Sequence, residues 1–355
     1  MKRRKAIDFL TVTLFAGILL TFMVYIGITT VFAAERGDAE SERKSFNDIF
    51  YGDSVISDVV KFVNYRIFGH IDGENIIIGD DEWLFEAVDS KNGYERLLDY
   101  IGGCEYSEEE LQRIAINVAR REAEYNAKGM EYMLVVIPDS ITVGEEYVPW
   151  YLGKQSERTR LSQVTEYLSS RGVLSFINPT EAMLAEEGAP ISVNNTENSI
   201  NAYGAYCIYA KIVSRFLAET GREVDRIHRD DIDFYTRITD GKGIAVSAGL
   251  EQTVKNRTVS LSDTFGDSYE TVYNEKGYVL TQCLDGAEDG GECVVIECAD
   301  DWDRIQLMPY FSNTFDRVYY KNTLMSEPDT SEQYGATLVV QIVHESELDL
   351  ILDMR

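Results

Sequence analysis

Histidine is scarce in this chain: its 355 residues include three, His70, His228 and His344. Any chemistry that needs an imidazole, as base or as ligand, therefore has three places to happen. Cysteine is nearly as limiting. Cys104, Cys207, Cys283, Cys293 and Cys298 are an odd number, without a C-x-x-C pair and without metal-ligand spacing, so no zinc or redox motif can be read from them. Cys207 falls on a predicted helix, and Cys293 and Cys298 flank an apolar strand; burial as small hydrophobes is the reading for most of the five. A Cys283 bond to Cys293 or Cys298 stays open outside the cytoplasm. Basic residues are also few. Thirty-three Lys and Arg face 61 Asp and Glu, a net charge of −28, which argues against nucleic acid and against a purely electrostatic grip on polyanions. Such a surface fits a neutral glycan, a cation-bridged ligand or a protein partner, or is simply solvated.

What is present begins with Lys2-Arg3-Arg4-Lys5 and an uncharged apolar run from Phe9 to Ala33. The run exceeds the roughly 20 residues that span a bilayer core. Its basic flank and the following Glu35, Asp38, Glu40 and Glu42 orient the remainder outward. The division predicted is a cytoplasmic basic tail (1–8), a transmembrane signal-anchor (9–33), a juxtamembrane linker (34–47) and one extracytoplasmic domain (48–355) in a single-pass protein of the cell membrane. A cleaved signal peptide ending at Val31-Phe32-Ala33 is the competing reading.

The segment Val55 to Val63 reads as a short amphipathic helix, and Asn75 to Phe85 as a hairpin turning through Gly79-Asp80-Asp81. Ser107 and Glu110 form a capping box for a helix ending at Gly129. The buried strand Tyr132–Ile137 follows, then a helix around Arg158 to Arg171 and the strand Val173–Ile177. Asn201 caps a helix that runs to Gly221. The polar region from Glu223 to Gly290 predicts short strands and loops. Beyond it come the strand Cys293–Cys298, a helix over Trp302 to Ser312, the segment Arg317-Val318-Tyr319-Tyr320, and the last strand, Ala336–Val343. Continuous apolar strands alternating with helices specify a parallel sheet covered on both faces.

The stretch Asn195-Thr196-Glu197-Asn198-Ser199-Ile200-Asn201-Ala202-Tyr203-Gly204-Ala205 resembles the D-x-H-W-N-x-x-G-A signature of the AlgX/AlgJ-like and DHHW branch of SGNH-hydrolase-like proteins. The opening hairpin, the Pro138-Asp139-Ser140-Ile141-Thr142-Val143 loop, the penultimate strand with its helix, and the last strand are similar to that family's landmarks and occur in its order. The resemblance implies an α/β, SGNH-hydrolase-like (flavodoxin-like) domain after one transmembrane helix. It also implies polysaccharide O-acetylation by a Ser-His-Asp triad, no cofactor, cell-surface polysaccharide as ligand and a membrane-bound O-acyltransferase as partner. The family's Asp, His and Trp positions are here Glu197, Ser199 and Ile200. Its Asp-Ser pair falls on Asp301 and Trp302. Base and nucleophile are both replaced, which points to a non-catalytic glycan-binding or scaffold component.

Two alternatives follow from the residues. Gly266-Asp267-Ser268 is a literal G-D-S, so Ser268 with His344 or His228 would make a non-standard triad of an acetyltransferase or acetylesterase. Asp139, Asp300, Asp301, Asp303 and Glu345 all follow predicted strand ends, where open parallel sheets bind ligands. Asp139, Asp300, Asp303 and Glu345, with Asn201 and His344, are the predicted binding residues, and converging carboxylates there suit a divalent cation or sugar hydroxyls.

Overall fold

The computed structural model describes residues 75–184, 188–262, 265, 269–273, 279–283, 291–323 and 328–354. The apolar run and its flanks, the helix expected near Val55, His70 and the Gly266-Asp267-Ser268 triplet lie outside them. Among the described residues, no helix is long and apolar enough to cross a membrane.

The expected hairpin is present as β1 (Ile76–Ile78) and β2 (Leu84–Glu86), joined by a tight turn in which Asp81 takes a left-handed φ of 53°. Helix α1 (Glu108–Asn126) begins at a complete Ser107–Glu110 capping box and leads into β3 (Glu131–Ile137). Thr159 caps α2 (Arg160–Ser170), which precedes β4 (Phe176–Ile177). Strand β4 is shorter than Val173–Ile177 because it lies at the sheet's edge, where only Phe176 and Ile177 pair with β3. Helix α3 (Ala202–Thr220) ends at Gly221 in the left-handed conformation that a glycine C-cap supplies. The polar region then gives an antiparallel ribbon, β5 (Phe234–Asp240) with β6 (Lys255–Leu261), and the short strands β7 (Tyr269–Tyr273) and β8 (Val279–Cys283). The chain closes the sheet with β9 (Cys293–Cys298), α4 (Asp301–Ser312), β10 (Arg317–Lys321) and β11 (Leu338–His344).

The seven-stranded sheet has the order β4-β3-β11-β9-β10-β8-β7. Its first five strands are parallel, and β8 and β7 extend it antiparallel. Counted from β9, the parallel strands run 2-1-3-4-5 across the sheet, the flavodoxin order with its count started late in the chain. The order reverses between β9 and β11, which places a ligand crevice beyond the carboxyl ends of those two strands.

Alternation explains why the sheet is buried twice. Met133, Val135 and Ile137 of β3 point into one core with α3 and α4, whereas Tyr132, Leu134 and Val136 point into the other with α1 and α2. Strands β9 and β11 split in the same way through Val294 and Val295, and through Val340 and Val339. Cys207, Cys293 and Cys298 are buried free thiols and Cys104 is a half-buried one, so neither strand cysteine of β9 is in a disulfide.

One polar rung crosses the second core. Gln341, Glu297 and Lys321 lie in register on β11, β9 and β10. The Gln341 amide donates to Glu297 at 2.7 Å, Lys321 Nζ reaches the other Glu297 oxygen at 3.3 Å, and Tyr132 donates to Gln341 at 2.8 Å. Lys321 and Glu297 have no exposed side-chain surface. Burial pushes the Lys321 pKa down, with Glu297 opposing. Lys321→Met leaves the Glu297 carboxylate without its cation and is expected to lower unfolding free energy by about 3–5 kcal/mol in urea denaturation. Adding Glu297→Gln recovers most of that loss; a double variant as unstable as the single one refutes the pairing.

Candidate functional site

The crevice is built from four segments. The first is the Asn194–Asn201 loop that enters α3. Asn201 Oδ1 accepts from the backbone N–H groups of Tyr203 and Gly204, and its amide donates to the Ile191 and Val193 carbonyls. Every polar atom of this buried side chain is engaged, so Asn201 is a structural cap and not a binding residue. Gly204 lies where a Cβ would drive into the Ser192 carbonyl, which is why the helix can approach the loop so closely. Asn195 fastens the same loop outward: its amide donates to Glu82 and Lys255 carbonyls and its Oδ1 accepts from Arg257 N.

The second segment is the start of α4. Asp300 caps it, accepting from Trp302 N at 2.9 Å and Asp303 N at 3.1 Å. Trp302 is 37% exposed; its indole N–H donates to the Ile200 carbonyl at 3.2 Å. Lys242, from the turn after β5, sits 5.1 Å from the Trp302 ring centre. That turn is held by Lys242 N and Ile244 N donating to Thr196. Asp301 points away to solvent and pairs with Arg304 at 2.8 Å.

The end of β11 supplies the third segment. His344 Nε2 lies 2.7 Å from Asp303 Oδ2, and Asp303 Oδ1 accepts from Ile200 N at 3.2 Å. Asp303 is fully buried. Burial lowers the affinity of His344 for a proton, but Asp303, then Glu347 and Asp300, outweigh it and raise its pKa. Among the described residues, no serine, threonine or cysteine side chain hydrogen-bonds to the His344 imidazole. His228 is exposed, on the turn before β5, and borders neither hollow of the crevice.

The fourth segment follows β3. Asp139 and Glu345 are buried, and Asp139 N donates to Glu345 Oε2 at 2.9 Å. Asp139 pairs with the buried Arg96, which also pairs with Asp89, and accepts from the Asn198 amide at 3.0 Å. Burial pushes the Glu345 carboxyl up to about 8, with Asp99 adding to the effect and Arg96 opposing it. The predicted carboxylates therefore divide. Asp300 and Asp303 gather with His344, whereas Asp139 and Glu345 are consumed in an interior network around Arg96.

A cleft of about 310 Å³ opens over these groups, lined by Glu86, Asp89, Arg96, Asn198, Asp300 and His344 among others. A second hollow of about 270 Å³ shares Glu86, Asn198 and Asp300 with it and adds Glu197, Ser199, Gly243 and Trp302. Burial, then Asp300 and Asp303, raise the Glu197 pKa, against the pull of Lys242. Ser199 accepts from the Asn194 amide at 2.9 Å. Arg96, Asn198 and Lys242 were not predicted. Arg96 reaches the site from the start of a short helix, Arg96–Tyr100, and Lys242 from the turn after β5, both far from the other site residues in sequence, whereas Asn198 lies between Glu197 and Ser199.

Fold and site together define an α/β domain with a polar cleft at the carboxyl edge of a mostly parallel sheet. No family model matches the chain, and no curated protein matches it. Among solved structures it is similar to PatB1 of Bacillus cereus, seen with a sulfonyl adduct: 10% identity, TM-score 0.54, covering 80% of this chain and 99% of that one. A second PatB1 structure gives 11% identity and a TM-score of 0.52 over 79% and 99%. The O-acetyltransferase domain of Pseudomonas putida AlgJ gives 12% identity and a TM-score of 0.46 over 77% and 92%. AlgX of Pseudomonas aeruginosa and a DHHW family protein of Eubacterium siraeum are also among the neighbours, at TM-scores of 0.44 and 0.47.

The Gly204 contact can be tested against helix propensity, which favours alanine over glycine by about 1 kcal/mol in a helix interior. Gly204→Ala is expected to destabilise instead, by about 1–3 kcal/mol, since the Ser192 carbonyl must move. A melting temperature equal to or above that of the parent chain would mean the loop yields freely.

Proposed function

We propose that this protein is a non-catalytic member of the SGNH-hydrolase-like polysaccharide O-acetyltransferase group, which binds glycan in the cleft or holds the acetylation machinery together. The observation that carries the reading is the fate of two positions. Acyl transfer needs a hydroxyl nucleophile beside an imidazole. Trp302 occupies the first position, with its indole N–H committed to the Ile200 carbonyl, and Ser199 occupies the second, bonded to Asn194. The remaining arrangement suits a sugar. An aromatic ring borders a hollow whose rim carries Glu197, Asn198, Ser199 and Asp300, groups that bond hydroxyls. In this proposal the apolar run Phe9–Ala33 anchors the protein, the domain lies outside the membrane, and a membrane-bound O-acyltransferase is the partner.

A second reading is favoured by the His344–Asp303 pair, which has the form of the base half of a triad. Ser268 as nucleophile would make that pair an acyltransferase or esterase.

Hydrolysis of p-nitrophenyl acetate by the full chain separates the two. The expected rate equals that of buffer and does not change in Ser268→Ala or His344→Ala. Turnover abolished by either substitution overturns the non-catalytic reading. Glycan binding is expected to weaken about tenfold in Trp302→Ala, the loss of roughly 1.4 kcal/mol of ring contact; an array signal unaffected by Trp302→Ala places the ligand elsewhere.

A further inference from the structure

Asp300, Asp303 and His344 each offer one ligand atom, and the three atoms lie within 4.8 Å of one another. Two acids near a histidine are unremarkable in a chain with 61 acidic residues. The state of Asp303 is different. Its side chain has no exposed surface, and Oδ1 is satisfied by Ile200 N. Oδ2 is sealed from solvent, and the partner described for it is His344 Nε2, 2.7 Å away. With Asp300 beside them, the same oxygen and imidazole nitrogen are donors that one cation can share.

The surroundings agree with this. Asp300 spends Oδ1 on capping α4 and has no hydrogen bond at Oδ2 among those described, and it lines the open cleft together with His344. A buried oxygen without a hydrogen bond, Glu197 Oε2, belongs to a residue that borders the adjoining hollow beside Asp300. The cluster sits beyond β9 and β11, where the strand order reverses.

We propose that Asp300, Asp303 and His344 form a binding site for a divalent transition cation of the Zn²⁺ or Mn²⁺ class, opening onto the cleft. The donor set chooses the class. Ca²⁺ and Mg²⁺ take all-oxygen shells, whereas imidazole with carboxylates suits the first-row metals. The ligands come from two strand ends 41 or more residues apart in sequence, so no local spacing announces them. A cation here neutralises two clustered carboxylates and supplies the cleft with a Lewis-acidic point for an oxygen ligand. The inference is independent of whether the protein binds glycan.

The test is titration of the EDTA-stripped full chain with ZnCl₂ or MnCl₂ by calorimetry, with CaCl₂ alongside. One Zn²⁺ or Mn²⁺ per chain is expected, with a melting temperature raised by several degrees, and no response to Ca²⁺ at the same concentration. His344→Gln and Asp303→Asn are each expected to weaken binding by about 100-fold or more, since even outer-shell losses cost 10–100-fold. Absence of binding to the parent chain overturns the proposal, as does binding that His344→Gln leaves unchanged. Asp303→Asn disturbs a buried position, so folding of each variant is checked by its metal-free melt. Should Asp303→Asn not fold, Co²⁺ absorption decides: visible bands in the parent chain that shift or vanish in His344→Gln support the site, and bands identical in the two reject it.

Discussion

A carboxylate out of reach of water must be met by partners that the fold brings to it. Asp303 is that carboxylate here, and three segments are located by it. It stands in the first turn of α4, receives the N–H of Ile200 from the loop entering α3, and meets His344 at the end of β11. These segments follow one another by about a hundred residues and then by forty in sequence, and nothing local would hold them to a common point. Hydrophobic burial brings the helices onto the sheet without direction. The polar contacts around Asp303 determine how the three ends face each other, and so the shape of the cleft.

The same division of labour runs through the sheet. Valine, leucine and isoleucine on both faces of β3, β9 and β11 make the parallel core, and alternate residues along each strand feed the two layers of helices. Apolar packing tolerates small slips, but the Gln341–Glu297–Lys321 rung does not. A strand displaced by one residue would send its member of the rung to the opposite face. The rung therefore specifies the register of the strands whose carboxyl ends carry Asp300 and His344.

This explains what could be read from the chain and what could not. Strands β3, β4, β9 and β11 were legible because each contains a short apolar run bounded by a turn signal. The α1 cap at Ser107 and the α3 cap at Asn201 were legible because capping is local chemistry between residues two or three apart. The strand order was not, since it is a property of partners and not of any segment. Asn201 was taken for a binding residue because an asparagine in a family motif suggests contact with ligand; its two carbonyl partners, Ile191 and Val193, appear only once the loop is folded back. Asp139 and Glu345 occur at strand ends as expected, yet a buried arginine 43 residues upstream of Asp139 claims that corner. His344 was legible as a position and not as a role, because a lone histidine after a strand says nothing of the aspartate that will face it.

The proposed replacement of catalytic residues without loss of the frame has a physical logic. A triad is expensive to keep, since its histidine must be held near groups that it will protonate and its nucleophile must stand in a strained or exposed place. Trp302 and Ser199 relieve those demands: the indole spans to the Ile200 carbonyl and lies beside Lys242, and the serine bonds within its own loop. Nothing equivalent has happened to Asp303. Its carboxylate remains buried, paired with His344 and with the Ile200 N–H. With Asp300 beside it on the cleft wall, that pair keeps two carboxylates and an imidazole within reach of one cation.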